Sequence, residues 1–309
     1  MKAVGFWQPG ESTSVIEDLS LPHPSMPKGR DLLIRVRAVA VNPRDLKSRR
    51  NISPSAGNPV VMGYDASGVV EATGPDVTLF RPGDHVFYAG VLDRQGANAE
   101  FQLVDERITG IKPAALSFEA AASVPLTGLT DWKMLFDRLQ LSVNGDADQT
   151  LLMLGGAGGV PCMAIQLART LSRVNIIGTA SRQESVRAVR GFGAHYVLDH
   201  SCALAPQVAS LAGLPPITRI FSTYTTPSAW ENMAEIIAPQ GRIGLIDDPE
   251  PLDLRLIKFK SVSVHWEAMF TRPMHVLRTC LNSMIFLTNS HACWIPVSSN
   301  LRCWQSMAG

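Results

Sequence analysis

The sequence predicts an α/β protein in which a β-rich first part is followed by a doubly wound parallel sheet. Three observations indicate this class. Short alternating apolar runs at 32–41, 68–74 and 85–90 are separated by Pro, Gly and Asp, as strands are. After about residue 119 apolar strands alternate with helical segments, which is typical of a parallel sheet covered by helices. A glycine-rich turn at 155–159 joins one such strand to a helix.

These patterns divide the chain. We expect a β-rich domain, a partly open barrel, over residues 1–120, a nucleotide-binding domain over 121–270, and an atypical tail over 271–309. A helical pattern over 118–139 is interrupted at Pro125. Six strands of the parallel sheet are predicted at 150–154, 174–180, 195–199, 218–224, 241–247 and 261–266.

Composition excludes several classes of partner. The 28 basic and 27 acidic residues leave a net charge of +1, and no basic patch indicates a nucleic-acid or membrane-surface partner. No apolar run approaches the roughly 18 residues that a membrane span needs. The five cysteines have no regular spacing, which favours a reducing compartment. We therefore expect a cytoplasmic protein.

The glycine-rich turn predicts a dinucleotide site. Gly156 and Gly158 fit the first two glycines of G-x-G-x-x-G, but Pro161 takes the third position. We expect the phosphates to bind the turn and the helix start, at Gly155, Gly156, Gly158, Gly159 and Val160. Pro161 removes one N–H donor, so replacing it with Gly should lower the cofactor's dissociation constant. The alternative is a turn that only ends a strand.

The second strand of this region indicates which cofactor binds. NAD sites usually carry an acidic residue after that strand, but Ser181 and Arg182 stand there, and the first acid is Glu184. A hydroxyl and a guanidinium suit a ribose 2′-phosphate, so we predict NADPH. The alternative is that Arg182 is a solvated residue at the start of a helix.

Several stretches together resemble one family. They are 38–49, 61–74, 81–86, 98–106, 120–132 and the glycine-rich turn. In content and order they resemble the medium-chain dehydrogenase/reductases, and within them the zeta-crystallin-like quinone oxidoreductases and their zinc-type alcohol dehydrogenase-like relatives. The resemblance implies a GroES-like domain, a Rossmann domain and a homodimer formed through an edge strand near 241–266. The mass of the protein in solution would test the dimer.

The resemblance also implies a catalytic site. Zinc-dependent members place a Cys and a His where this chain has Asn42 and Tyr64, so we expect no metal. Asn42 is expected near the nicotinamide and the acceptor oxygen, with Tyr64 and Asp45 close by. Thr127 is expected to pack against the nicotinamide. Each has a simpler alternative: a turn cap for Asn42, a packed aromatic for Tyr64, an ordinary ion pair for Asp45 and a helix cap for Thr127.

Chemistry without a metal limits the reaction. A quinone or an α,β-unsaturated carbonyl is already electrophilic, so a hydride can be added to it with hydrogen-bond donors alone. We therefore expect zinc-independent, NADPH-dependent reduction of a small quinone or enone. A non-catalytic, crystallin-like NADPH-binding protein and a zinc-dependent alcohol dehydrogenase are the alternatives.

The end of the chain departs from this pattern. Residues 276–309 contain no Asp, Glu or Lys, yet they hold three of the five Cys and two of the six Trp. The resemblance stops near His275, and the chain is some two or three dozen residues shorter than the family pattern expects. A shifted reading frame would explain this composition, and the coding sequence across the junction would test it.

Overall fold

The structure is a computed structural model, and it describes residues 1–55 and 57–275. Contacts divide the chain into two units. The first comprises Met1–Leu129 and a segment that begins at Phe270, and the second includes Thr130–Met269. The boundaries expected at residues 120 and 270 stay predictions, because a division by contacts does not establish which segments fold alone. The expectation for the tail beyond His275 lies outside the described residues.

The first unit consists mainly of antiparallel strands. In chain order its strands are β1 Lys2–Phe6, β2 Glu17–Ser20, β3 Asp31–Ala40, β4 Val60–Val61, β5 Asp65–Thr73, β6 His85–Ala89, β7 Phe101–Asp105 and β8 Thr109–Ile111. They form a three-stranded sheet in the order β2-β1-β4 and a five-stranded sheet in the order β7-β3-β5-β6-β8. The strands predicted at 32–41, 68–74 and 85–90 are β3, β5 and β6, so the GroES-like, β-rich prediction is confirmed.

The larger sheet encloses the core of the first unit. Residues from one face of β3 and β5, among them Leu32, Ile34, Ala66 and Val70, are buried together with Val86 and Tyr88 of β6. The Tyr88 hydroxyl donates to Gln102 Oε1 at 2.8 Å, so this buried phenol is hydrogen-bonded within the core.

Three helices accompany these sheets. They are α1 Pro43–Asn51, α2 Phe118–Ala122 and α3 Pro125–Trp132. Ser117 caps α2 by accepting the Ala120 N–H at 3.2 Å, and α3 restarts at Pro125, where proline suits a first turn. The helical pattern predicted over 118–139 is therefore interrupted at the expected residue. It continues beyond α3 as a π-helical turn, Lys133–Arg138.

The second unit contains the predicted parallel sheet. Its strands are β9 Thr150–Leu154, β10 Asn175–Thr179, β11 Tyr196–Leu198, β12 Ile217–Ser222, β13 Arg242–Leu245 and β14 Ser263–Trp266. All neighbours are parallel in the order β11-β10-β9-β12-β13-β14, so the Rossmann prediction is confirmed. All five residues of β9 are buried, as expected for a strand covered on both faces.

Helices connect these strands. They are α4 Gly159–Leu171, α5 Gln183–Gly191, α6 Leu204–Ala209 and α7 Pro227–Ile236, and a short α8 Thr271–Met274 ends the described chain. The chain leaves β9 toward β10 and β11 on one side and returns to β12 on the other. The strand order thus reverses between β9 and β12, and doubly wound sheets bind ligands at the carboxyl ends of the strands around such a point.

One buried carboxyl in the second unit lacks compensation. Asp131 is fully buried, and neither carboxyl oxygen has a hydrogen-bond partner in the described part of the chain. Burial raises the pKa of Asp131 well above its ordinary value, so its neutral form is favoured.

No described helix is long and apolar enough to cross a membrane.

Candidate active site and cofactor-binding turn

Three of the predicted site residues, Asn42, Asp45 and Tyr64, lie close to the start of α1. Asn42 directly precedes this helix, and Asp45 and Ser48 follow at intervals of three, so all three lie on one helical face. Opposite them lie Gly63, Tyr64 and Asp65, at the start of β5. The structure therefore brings Asn42, Asp45 and Tyr64 together within the first unit, and it adds Ser48 and Asp65 to the group.

Asp65 holds Asn42 in place. The Asn42 side-chain nitrogen donates to Asp65 Oδ2 at 2.8 Å, while the backbone N–H of Leu126, in the first turn of α3, donates to Oδ1 at 2.8 Å. First-turn N–H groups have no partner within their own helix, so this carboxyl satisfies one of them. The second amide hydrogen of Asn42 has only a 3.5 Å contact with the Ala40 carbonyl, which is too long for a good hydrogen bond. That hydrogen can be offered to another oxygen.

Burial controls the ionisation of Asp65. The side chain is completely buried, and this desolvation raises the pKa of Asp65 to about 8. The hydrogen bonds from Asn42 and Leu126 oppose the shift because they favour the carboxylate, and the neighbouring charge of Asp45 adds to it. The geometry thus provides a carboxyl that changes ionisation near neutral pH.

Asp45 has a positioning role. Its Oδ2 accepts the Asn42 backbone N–H at 2.7 Å and its Oδ1 accepts the Gly63 N–H at 3.2 Å, so both oxygens hold backbone. Desolvation raises the pKa of Asp45, and the backbone N–H groups and the Arg44 charge oppose the shift. Gly63 has φ +99°, and a Cβ there would lie 2.3 Å from Asn98 Oδ1, so glycine is required at this position.

Tyr64 combines packing with a polar contact. It is 5% exposed, and its ring lies edge-on to Phe270 with centroids 5.5 Å apart, as the packed-aromatic alternative expects. Its hydroxyl, however, lies 2.7 Å from Ser48 Oγ, and either oxygen can donate. The two hydroxyls can therefore pass a proton between them, and the proposed role of Tyr64 stays a prediction.

Thr127 has a local explanation. Its hydroxyl donates to the Val124 carbonyl at 3.2 Å and approaches the Ser123 carbonyl at 3.5 Å, both one turn earlier along the chain. Such bonds to the preceding turn are common for threonine inside helices, and they differ from the helix cap that the simpler alternative expected. A contact of Thr127 with a nicotinamide stays a prediction.

In the second unit, Gly155 and Gly156 are required by the fold itself. Gly155 has φ +81°, and a Cβ there would lie 2.5 Å from Thr223 Oγ1. At Gly156 a Cβ would lie 2.8 Å from the Thr179 carbonyl oxygen, and the Gly156 N–H donates to that same oxygen at 3.0 Å. Gly155 lets the turn approach the residue that follows β12, and Gly156 lets it pack against β10, so a side chain at either position would disturb the protein itself.

Gly158 differs from Gly155 and Gly156. Its φ of −78° and ψ of 171° suit any residue, and a Cβ there would only reach ordinary contact with Pro161 Cδ at 3.5 Å. Neither backbone conformation nor packing demands glycine at this exposed position. A ligand phosphate that lies close to the protein backbone would require glycine at this position. This open cradle fits a dinucleotide.

The helix start completes the cradle. Gly159 and Val160 are the first two residues of α4, where N–H groups have no intrahelical acceptor and attract phosphate. Pro161 is buried in the same turn, and the helix still begins at Gly159, so the proline does not prevent the turn from forming. Its effect on affinity stays a prediction.

Ser181 and Arg182 lie just beyond the end of β10. Both are exposed, and Arg182 precedes the first residue of α5. Strand β10 pairs in parallel with β9, so its carboxyl end lies at the same edge of the sheet as the glycine-rich turn. Glu184 falls inside the first turn of α5. The structure therefore keeps the predicted hydroxyl and guanidinium available near the cradle.

Comparison with known proteins identifies the class. Residues 28–125 match the alcohol dehydrogenase GroES-like domain family, and residues 159–281 match the zinc-binding dehydrogenase family. A zinc-type alcohol dehydrogenase-like protein of Staphylococcus aureus is 40% identical over 280 residues, which cover 89% of this chain and 82% of that protein. A quinone oxidoreductase of Pseudomonas aeruginosa is 34% identical over 220 residues, covering 71% and 65% respectively.

Solved structures agree. A Rhizobium etli protein assigned as a zinc-dependent alcohol dehydrogenase has 47% identity and a TM-score of 0.90, covering 97% of this chain and 87% of that one. A mycobacterial protein solved in complex with NADPH has 26% identity and a TM-score of 0.80, covering 99% and 95%. The chain is thus an oxidoreductase with a GroES-like and a Rossmann domain. It belongs to the medium-chain dehydrogenase/reductase superfamily, in the branch of zinc-type alcohol dehydrogenase-like proteins and quinone oxidoreductases.

The zinc that these family names imply does not fit the described residues. No group of three His, Cys, Asp or Glu side chains within 1–55 and 57–275 could hold a metal ion. At the start of α1 the Asn42 side chain presents an amide nitrogen that donates to Asp65, and an N–H donor cannot ligate a cation. Tyr64 is engaged with Ser48.

Two glycine variants should separate ligand binding from folding. We expect Gly158→Ala to weaken binding of a nicotinamide dinucleotide at least tenfold while the melting temperature without ligand stays within error, because the added methyl fills only the cradle. Gly156→Ala is the matched control and should lower the melting temperature itself, since its Cβ meets backbone. Calorimetric titration and thermal melting measure both quantities. Unchanged affinity in Gly158→Ala would exclude the cradle as the phosphate site.

The raised pKa of Asp65 predicts a pH effect on stability. Between the unfolded value near 4 and the folded value of about 8, the folded state binds a proton that the unfolded state releases, so stability falls as pH rises. From pH 6 to pH 8 the wild-type free energy of unfolding should fall by on the order of 2 kcal/mol more than that of Asp65→Asn. Denaturant titrations at both pH values measure this. Asp18→Asn, at an exposed position of β2, should keep the wild-type slope; equal slopes for Asp65→Asn and wild type would show an ionised Asp65 at pH 6.

Proposed function

We propose that the protein is a zinc-independent, NADPH-dependent reductase that transfers a hydride to quinones or α,β-unsaturated carbonyl compounds. The observation that carries the proposal is the pair Asn42 and Tyr64. The family resemblance assigns them the positions of two metal ligands of zinc-dependent members, and they present hydrogen-bond donors that contact Asp65 and Ser48. Such donors suit an acceptor that is already electrophilic.

The Asn42 amide stabilises the negative charge that develops on the acceptor oxygen. NADPH, when bound, would supply the hydride for the β-carbon of an enone, and the electron pair of the C=C bond would then move toward the carbonyl oxygen. The second amide hydrogen of Asn42 can donate to that oxygen as negative charge develops. Because Asp65 fixes the other hydrogen, the amide needs no reorganisation during the reaction.

The Tyr64 and Ser48 hydroxyls supply the proton. A proton must reach the α-carbon of an enolate, or the oxygen of a reduced quinone, to complete the two-electron reduction. The Tyr64 phenol can give this proton, and Ser48 at 2.7 Å can return one to it. This relay needs no metal.

An acceptor panel tests the activity. The purified protein should oxidise NADPH with quinones and enones but not with the corresponding saturated ketones, and metal chelation should leave the rate unchanged. Asn42→Leu should lower the rate about 100-fold or more, as loss of one such donor does elsewhere. Steady-state NADPH oxidation measures these rates. Tight NADPH binding without turnover of any acceptor would instead favour a non-catalytic binding protein, and stoichiometric zinc with alcohol oxidation would favour an alcohol dehydrogenase.

Arg182 should determine the choice between the two nicotinamide cofactors. We expect Arg182→Ala to raise the dissociation constant of NADPH about tenfold or more and to leave that of NADH unchanged, because a charged hydrogen bond to the 2′-phosphate is lost. Arg190→Ala removes another exposed guanidinium from the last turn of the same helix and should change neither constant. Fluorescence titration of both nucleotides measures this. Equal losses for NADPH and NADH would contradict a 2′-phosphate contact.

A further inference from the structure

Arg44 is a cation without an anionic hydrogen-bond partner beside the proposed acceptor residues. It lies in the first turn of α1, between Asn42 and Asp45. Its Nε is buried and has no hydrogen-bond partner among the described residues. A buried donor without a partner is costly, so native proteins seldom leave one unexplained.

The carboxyl groups of Asp45 and Asp65 are already hydrogen-bonded to other groups. Asp45 feels the charge of Arg44, but both of its oxygens accept backbone N–H groups, from Asn42 and Gly63. Asp65 is likewise engaged, by Asn42 and Leu126. The protein therefore holds two acids in place with neutral donors and leaves the guanidinium fork of Arg44 available.

Phe270 links Arg44 to Tyr64. The Arg44 guanidinium carbon lies 5.9 Å from the centroid of the Phe270 ring, and the same ring lies edge-on to Tyr64 at 5.5 Å. The aromatic face attracts the cation and limits its positions. Arg44 and the proposed proton donor are thus held against one side chain, and Arg44 is two residues from the proposed hydrogen-bond donor, Asn42.

We propose that Arg44 selects acceptors whose conjugated carbonyl carries a carboxylate. This inference rests on the proposed reductase function and narrows its substrate class. A guanidinium binds a carboxylate through two parallel hydrogen bonds, which would fix the acceptor's orientation. Arg44 acts as a specificity residue: the hydride and the proton still go to the carbon atoms of the substrate, and the carboxylate is unchanged.

A matched pair of acceptors tests this. One is a γ-keto-α,β-unsaturated acid and the other is its methyl ester, which keeps the enone and loses the charge. The wild type should reduce the acid with a kcat/KM about tenfold or more above that of the ester. Arg44→Gln should lose this preference, with the ester rate retained, and Arg44→Lys should keep part of it, since it keeps the charge but not the fork. An equal loss for acid and ester in Arg44→Gln would overturn the proposal and assign Arg44 to support of Asp45.

Binding without turnover distinguishes this proposal from the proposed function. The saturated keto acid should bind the wild type about tenfold more tightly than its ester, and Arg44→Gln should remove the difference, as measured by calorimetric titration in the presence of NADP⁺. If the wild type reduces neither enone but still binds the acid through Arg44, the reductase proposal fails and the carboxylate site stands. If Arg44→Gln instead weakens NADPH binding, Arg44 belongs to the cofactor and the carboxylate proposal fails. Arg50→Gln, an exposed cation on the same helix, should change none of these constants.

Discussion

A completely buried carboxyl has to be hydrogen-bonded or neutral, and Asp65 organises the first unit around that constraint. One oxygen accepts the side-chain amide of Asn42 and the other accepts the first turn of α3 through Leu126. The same contacts that satisfy the carboxyl also fix the amide that the proposed reaction needs. Asp45 accepts the backbone N–H groups of Asn42 and Gly63, so it holds the chain on either side of the site. The site is therefore rigid for reasons of burial as well as of function.

In the second unit the constraint is steric. Gly155 and Gly156 are required by the fold, because a Cβ would meet Thr223 or the Thr179 backbone. Gly158 has an ordinary backbone conformation and a Cβ there would make only ordinary contacts, so its lack of a side chain has no explanation inside the protein. One motif thus contains two kinds of glycine, and only the second kind is evidence for a ligand. This distinction supports a dinucleotide site more strongly than the spacing of the glycines does, because it does not depend on the third glycine of the motif, whose position Pro161 occupies.

Much of the fold followed from the sequence, because periodicity and glycine spacing are local signals. All six strands of the parallel sheet lie within or within a residue of the predicted runs, and Pro125 interrupts the helix where it was expected to. The site was less accessible. Asp65 stood in the sequence as an isolated acid, and its bond to Asn42 spans 23 residues, so only tertiary structure reveals it. The contact of Ser48 with Tyr64 has one trace in the sequence, the spacing of residues 42, 45 and 48 along helix α1. Phe270, more than 200 residues from Arg44, left none.

Asp131 shows what the hydrogen bonds of Asp65 achieve. Both side chains are fully buried, yet Asp131 has no partner among the described residues, and burial raises its pKa well above the usual range. An unpartnered buried polar group costs about 1–3 kcal/mol, and protonation avoids the larger cost of a buried charge. Asp65 accepts two N–H donors, and these oppose the same desolvation strongly enough for its pKa to stay at about 8. Two aspartates of equal burial therefore differ in their neighbours: Asp65 accepts two N–H donors that favour its carboxylate and orient Asn42, whereas no described donor favours a charge on Asp131.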